Sequence, residues 1–349
     1  MTKLLVAIGD DLVMAVAGSG GWRSEARLAA TGPLCLAGDP GRPGRLYCGT
    51  ARRGVWRSDD GGATWEQRTG GIASEQVTAV AVSPDGVVYA GTDPSALYRS
   101  DDGGERWREL AGLRSLPSAP TWSFPPRPQT SHVRQILPHP VRKRWLAVCI
   151  EAGALVRSFD GGDTWIDRVD GGPRDTHTLR THPHTPDRLY SAAGDGFGKA
   201  NGYALVAGAG SGYNESADGG STWSQPDQGL EGLYLWGLAV DPGDPDVMVA
   251  SVSESPMAAH SPHEASSTVF RRAHGAGWVE VRDGLPEPRG CVAAVLAANP
   301  AEPNAFYAAV NQGLYRSGDA GLSWSQLPLA WPDSHRHERV ADLLVLPDR

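Results

Sequence analysis

Seven times along this chain of 349 residues, a short apolar run closes on a residue followed by proline. The pairs are Asp39-Pro40, Ser83-Pro84, His139-Pro140, His182-Pro183, Asp241-Pro242, Asn299-Pro300 and Leu346-Pro347. Four positions before each proline stands a bulky apolar residue: Leu36, Val80, Ile136, Leu179, Leu238, Leu296 and Leu343. Apolar runs this short, cut by turn signals, predict buried strands rather than helices. Most are followed by a second run ending in small residues, as in Leu46-Tyr47-Cys48-Gly49-Thr50, and by a third such as Val55-Trp56-Arg57-Ser58. A fourth begins at a tryptophan.

Those tryptophans, Trp22, Trp65, Trp107, Trp165, Trp223, Trp278 and Trp324, lie 42 to 58 residues apart. Four short strands at that period predict an all-β fold, a seven-bladed β-propeller of four-stranded antiparallel blades. From Trp324 through the C-terminus and on from Met1 to Trp22 is 47 residues, one more normal interval. The first residues hold only three strands (around Leu4–Ile8, Leu12–Ala17 and Trp22–Leu28), while Val340–Leu346 reads as a first strand without partners. The two ends are therefore expected to share one blade and remove the open sheet edges of the array. One domain over 1–349 follows, with blades at about 340–349 joined to 1–28, then 33–68, 77–110, 132–168, 175–225, 234–282 and 291–327.

Five of the seven tryptophans end a Ser-x-Asp-x-Gly-x-[Thr/Ser/Arg]-Trp motif, at Ser58–Trp65, Ser100–Trp107, Ser158–Trp165, Ser216–Trp223 and Ser317–Trp324. The Ser and Asp oxygens suit backbone N–H groups in the turn between third and fourth strands, and Gly permits positive φ. A reaction needs one constellation, so a device present five times is scaffold. His139 and His182 stand where sister repeats have Asp, Ser or Asn, and are expected to be turn residues. The motif resembles the Asp-box, or BNR repeat, of sialidases, sortilin-type ectodomains and photosystem II assembly factors. This resemblance covers essentially the whole chain and implies the propeller fold. Sialidase catalysis in that superfamily would require an Arg-Ile-Pro motif near the N-terminus, and no Arg-Ile-Pro occurs here.

Composition narrows the partners. The net charge of −8 offers no broad basic surface for a phosphate backbone, so nucleic acid is excluded. The first apolar run is too short for a signal peptide and is needed as a strand, and no later segment is long enough to span a bilayer; a cytoplasmic protein without membrane contact is expected. Cys35, Cys48, Cys149 and Cys291 show no CxxC spacing and are expected to be reduced, buried thiols.

Ligands of propellers gather at one mouth of the central channel, where first strands begin and second strands end. Residues eight before each marker proline are Gly32, Gln76, His132, Asp175, Tyr234, Val292 and Arg339; six before, they are Leu34, Thr78, Arg134, His177, Trp236, Ala294 and Ala341. Second strands end at Gly9, Ala51, Asp93, Glu151, Gly194, Val252 and Asn311. Polar groups thus collect on three consecutive blades. His132, Glu151, Asp175 and His177 are the candidate acid–base groups, and Arg134, Tyr234, Trp236, Asp93 and Asn311 the candidate substrate contacts. The same side chains could instead orient one another, Arg134 pairing with Glu151 and Trp236 filling a gap between blades.

Two insertions add to this. Residues 111–131 carry five prolines with Trp122 and Phe124, as a binding loop or lid would, and Trp122 joins the candidate contacts. Residues 253–268 hold Glu254, His260, His263 and Glu264, which suit a divalent metal in chemistry but match no ligand motif, so a solvated loop is expected, as for His335-Arg336-His337-Glu338. The glycine-rich run Gly194–Gly212 lacks the context of a phosphate loop and reads as a blade insertion. The sequence requires no cofactor. It predicts a hydrolase or lyase-like enzyme acting on a small or glycan-like molecule; a non-catalytic scaffold docking a protein partner is the alternative. Purified protein is expected to leave a fluorogenic sialoside unhydrolysed; turnover of that substrate would overturn this reading of the missing arginine motif.

Overall fold

The structure is a computed structural model that describes residues 2–203 and 208–346. Pro347 of the last marker pair, the end of the shared blade at 347–349, and positions 204–207 of the glycine-rich run lie outside the described residues. Seven antiparallel sheets are present among the described residues; six have their strands in chain order from the inside out, and the seventh sets the C-terminal strand inside the three N-terminal ones. Their first strands are Val340–Leu346, Pro33–Asp39, Val77–Val82, Val133–Pro138, Thr176–His182, Tyr234–Val240 and Val295–Ala298. Each first strand packs against the next, and the last contact returns to the start, so the blades form a closed ring around a channel. Closure is by the expected pairing: Val340–Leu346 lies antiparallel to Lys3–Ile8, which continues into Asp11–Gly18 and Gly21–Arg27.

Five sheets have four strands and two have three. In the two short sheets the fourth strand is reduced to single bridges, Arg157 with Ile166 and Glu215 with Ser224. The causes are local. Asp167 is turned away to accept hydrogen bonds from Ser118 N and Oγ, and Pro226 supplies no N–H to extend the second ladder. The core lies between blades: Leu4, Val6 and Ile8 of the closing blade pack on Tyr307, Ala309 and Leu314 of its neighbour.

The inner strands share one irregularity. In six of seven blades an extra residue interrupts the pairing of first and second strands. Leu34, Thr78, Arg134, His177 and Ala341 are each left without a partner, and Trp236-Gly237 opposes one residue. A bulge of this kind re-aims a side chain, and it falls at the register position six residues before each marker proline.

At the opposite ends of the blades, the repeated motif forms one turn five times. In the blade that begins at Val133, Ser158 Oγ donates to Asp160 Oδ1 (2.8 Å) and accepts from Gly162 N (2.8 Å), while Asp160 Oδ1 also accepts from Thr164 N (2.8 Å). Gly162 has φ of +94°, a conformation closed to side chains with a Cβ. The marker turns work similarly: His139 Nδ1 accepts from Val141 N and Arg142 N, and His182 Nδ1 from His184 N.

Hydrogen bonds from the Thr164 hydroxyl and amide hold Asp160 down at about 2. A depressed carboxylate stabilises the fold fully above its unfolded pKa, near 3.9, and that contribution fades as pH falls through the folded value. Asp160→Ala is expected to cost about 1 kcal/mol at neutral pH. In urea unfolding series, the gap between wild type and variant should close as pH drops from about 4 towards 2.

Candidate functional site

The bulges deliver their side chains to the mouth of the channel. A cavity of about 140 Å³ lies there, lined by the bulge residues Leu34, Thr78, Arg134, Trp236 and Ala341 and by His132, Glu151, Asp93, Gln76 and Arg339. Phe124 and Arg127 of the proline-rich insertion complete the lining. Beneath it a second cavity of about 280 Å³ occupies the channel, sharing Leu34, Arg134, Trp236 and Ala341 and adding His177, Arg180 and Asp342.

His132 and Glu151 flank the end of one blade, where Glu151 N donates to His132 O and ties the two segments together. Their side chains meet at 3.0 Å, Nε2 to Oε2. Burial alone would raise the Glu151 pKa, but the His132 hydrogen bond and the charges of His132, His177 and Arg134 outweigh it and hold the carboxyl below its ordinary value. An ionised Glu151 accepts the Nε2–H of His132, and in the neutral form of the ring this leaves Nδ1 as an acceptor. His132 Nδ1 has no hydrogen-bond partner. Phe124 stands edge-on to this ring at 4.9 Å between centroids.

A second polar chain runs behind Trp236. Asp175 Oδ1 accepts from Ala152 N (2.7 Å) and lies 3.5 Å from His177 Nε2. The other imidazole nitrogen donates to Leu235 O at 2.5 Å. Burial disfavours charge on His177, yet Asp175, Glu151 and the Leu235 carbonyl together raise its pKa. Tyr234 Oη is 3.2 Å from His177 Nε2 and 3.1 Å from His260 Nε2. Burial and the charge of Arg339 press His260 down to about 2, so it is neutral beside the phenol. Asp195 is fully buried with Oδ1 unpartnered, and burial and nearby Asp175 push it up to about 7. Trp236 stands at the junction: His177 and His260 pack on it at 4.7 and 4.2 Å, and the Arg134 and Arg339 guanidiniums lie 4.3 and 5.5 Å from its ring.

Of the residues singled out in the sequence, His132, Glu151, Arg134, Trp236 and Asp93 line the mouth cavity, and His177 lines the channel below. Asp175 and Tyr234 support them from behind. Asp93 is engaged by Arg127 and by Thr130 Oγ1. Two residues sit elsewhere. Trp122 is buried among Leu113, Leu116, Ile150 and Ala154, with Nε1 donating to Ser118 Oγ, so it anchors the insertion while Phe124 and Arg127 reach the mouth. Asn311 spends its amide on backbone, accepting from Val292 N and donating to Gly290 O and Arg336 O.

His260 corrects the expectation of a solvated loop: Pro256–His260 is a short helix that carries the imidazole onto Trp236 and Tyr234. Its signal was readable, since Ser255 caps Ala258 N and Pro256 fills the first turn. Arg339 held the right place in the blade alignment, but the polar run before it, His335-Arg336-His337-Glu338, reads as a solvated loop and did not set it apart. Among the described residues, no group of three or more His, Cys, Asp or Glu is arranged to hold a metal ion, and no helix is long and apolar enough to cross a membrane. The four cysteines are free and buried.

The closed ring and its mouth define a seven-bladed β-propeller with one polar, cavity-bearing end. The chain matches no protein-family model and no curated protein sequence. Among solved structures, it superposes on the GH74 enzyme of Niastella koreensis with a TM-score of 0.65 at 18% identity, over 92% of this chain and 53% of that one. The GH74 xyloglucanase of Xanthomonas campestris gives 0.63 at 17%, over 93% and 54%. YCF48 bound to a D1 peptide gives 0.57 at 16%, over 90% and 93%. The chain thus spans about half the length of these two GH74 proteins and nearly all of YCF48. At such identities the likeness is one of fold.

Trp122→Ala should lower stability by about 3–5 kcal/mol, as for other buried aromatic truncations. Denaturant unfolding checks this, and a loss below about 1 kcal/mol would contradict the anchoring role.

Proposed function

We propose that this Asp-box propeller binds a small, glycan-like molecule at the channel mouth and transforms it by acid–base chemistry, with His132 as base and Glu151 as the group that orients it. The observation that carries this reading is the His132–Glu151 pair at 3.0 Å beside the Trp236 ring in one cavity. An ionised carboxylate on one imidazole nitrogen fixes the tautomer and supports positive charge on the ring as it takes a proton. The GH74 neighbours favour a glycan as substrate class.

Lyase-type chemistry suits the groups better than two-carboxylate hydrolysis. Glycoside hydrolysis uses one carboxyl group as acid and a second as nucleophile or base. The cavity has two carboxylates, and Asp93 is committed to Arg127 and Thr130. Elimination needs one base to remove a C–H proton and a donor for the leaving oxygen, and His132 can serve as both, taking the proton and then passing it to the departing oxygen. The scaffold alternative also has support: about 140 Å³ is below the usual few hundred Å³ of enzyme pockets, and the similarity to YCF48, in complex with a peptide, runs nearly end to end.

Incubation with a panel of neutral and acidic oligosaccharides, read by mass spectrometry and by ultraviolet absorbance of new double bonds, tests the proposal. His132→Ala and Glu151→Gln should each slow turnover by about a hundredfold or more while melting as the wild type does. Full activity in His132→Ala defeats the assignment, and an inert wild type shifts the balance to the scaffold.

A further inference from the structure

The mouth has more positive charge than its own carboxylates neutralise. Arg127 is paired with Asp93, and His177 lies against Asp175. That leaves Arg134, Arg339 and Glu151. Glu151 already accepts from His132, and Arg134 Nε stands 3.8 Å from it, too far for a hydrogen bond. Arg134 Nε is buried with no hydrogen-bond partner. Arg339 makes neither an ion pair nor a hydrogen bond among the described residues; its recorded contact is with the Trp236 ring. Two guanidiniums against one carboxylate leave a single positive charge at the cavity wall.

The arginines at the other end of the blades are arranged differently. Arg45, Arg57, Arg99 and Arg142 each hold a carboxylate within 3.0 Å. Arg134 and Arg339 differ from these four in holding no carboxylate within hydrogen-bonding distance. A guanidinium over an aromatic face keeps the N–H groups of its edge available, and such edges match the two oxygens of a carboxylate.

We infer that the mouth cavity takes a carboxylate-bearing ligand, a monoanionic sugar acid, whose carboxylate is held by Arg134 and Arg339 against Trp236; this rests on the reading of the mouth as the binding site. The charge count favours a monoanion over phosphate, because a dianion beside Glu151 would leave net negative charge in a cavity partly roofed by Phe124. For an elimination, the same clamp has a further use. Neutralising a carboxylate lowers the pKa of the C–H next to it, the proton a base must remove.

Isothermal titration with D-glucuronate, D-glucose and inorganic phosphate tests this by binding alone, without turnover. D-glucuronate should bind at least about tenfold more tightly than either of the others, and more weakly as salt is added. Arg339→Ala should weaken glucuronate by about ten- to a hundredfold and abolish the preference over glucose. Arg339 makes no hydrogen bond or ion pair among the described residues whose loss would disturb the fold, and circular dichroism checks that the variant is folded. Arg134→Ala should act in the same direction. Equal affinity for glucose and glucuronate, tighter binding of phosphate, no binding of glucuronate, or an unchanged affinity in Arg339→Ala overturns the inference. Failure of the anion clamp and failure of catalysis separate cleanly. Equal binding of acid and neutral sugar with His132-dependent turnover sinks only the clamp, whereas bound glucuronate without turnover of any uronate sinks only the chemistry.

Discussion

Every blade of this molecule ends at the channel in a strand with one edge unpaired, and the ring holds only if that edge is satisfied. A buried N–H or C=O without a partner costs on the order of 1–3 kcal/mol, and seven inner edges converge on one axis. Side chains from the next blade do what a strand would do elsewhere. Gln135 bonds both backbone groups of Leu179, Asp342 accepts from Leu36 N, Thr178 donates to Trp236 O, and Ser251 accepts from Ala294 N. These contacts fix the spacing between blades more specifically than apolar packing can. Asp342 shows what the arrangement demands, for burial raises its pKa while two amides and the charge of Arg180 work against that rise.

With the ring so fixed, the two ends of the blades are free to differ. One end repeats the Ser–Asp turn five times and carries ion pairs from blade to blade, among them Arg57 with Glu105 and Arg188 with Asp246. The other end has no repeated polar residue. Its polar groups are concentrated on the blades that begin at Val77, Val133, Thr176 and Tyr234, with Arg339 and the roof residues added from outside. Ala341 and Leu34 face them across the cavity. The insertion that supplies the roof is rigid at its base, where Trp122 is buried and Gly153 leaves room for its ring: a Cβ there would come within 3.0 Å of the indole.

The ring, its closure and the scaffold role of the Asp turns were legible because each rests on a pattern repeated at fixed intervals. The marker prolines fixed the register, and register carried the reading as far as His132, Arg134, Glu151, His177 and Trp236. It failed where position in the repeat says nothing about direction. Asn311 aligns with Glu151, but its amide is drawn to three backbone groups, a use that no spacing reveals. Trp122 lies in an insertion outside the repeat, and so does His260, whose role depends on a one-turn helix folding back over the mouth. Arg339 stood at the mouth register of the expected closing strand, but no spacing shows that its guanidinium reaches across to the Trp236 ring.

The bulge on the inner strands gives the mouth the character of a row of sockets, one in each of six blades, each set by a single codon. A change of side chain at such a position disturbs no ladder hydrogen bond, since the bulged residue already stands outside the pairing, and it leaves the Asp turn at the far end of the blade untouched. The bulge and the Asp turn are in this sense independent positions of the same repeat. Alanine at 341 and leucine at 34 are then unfilled sockets. The present set of side chains is one setting among many that this ring could hold without refolding.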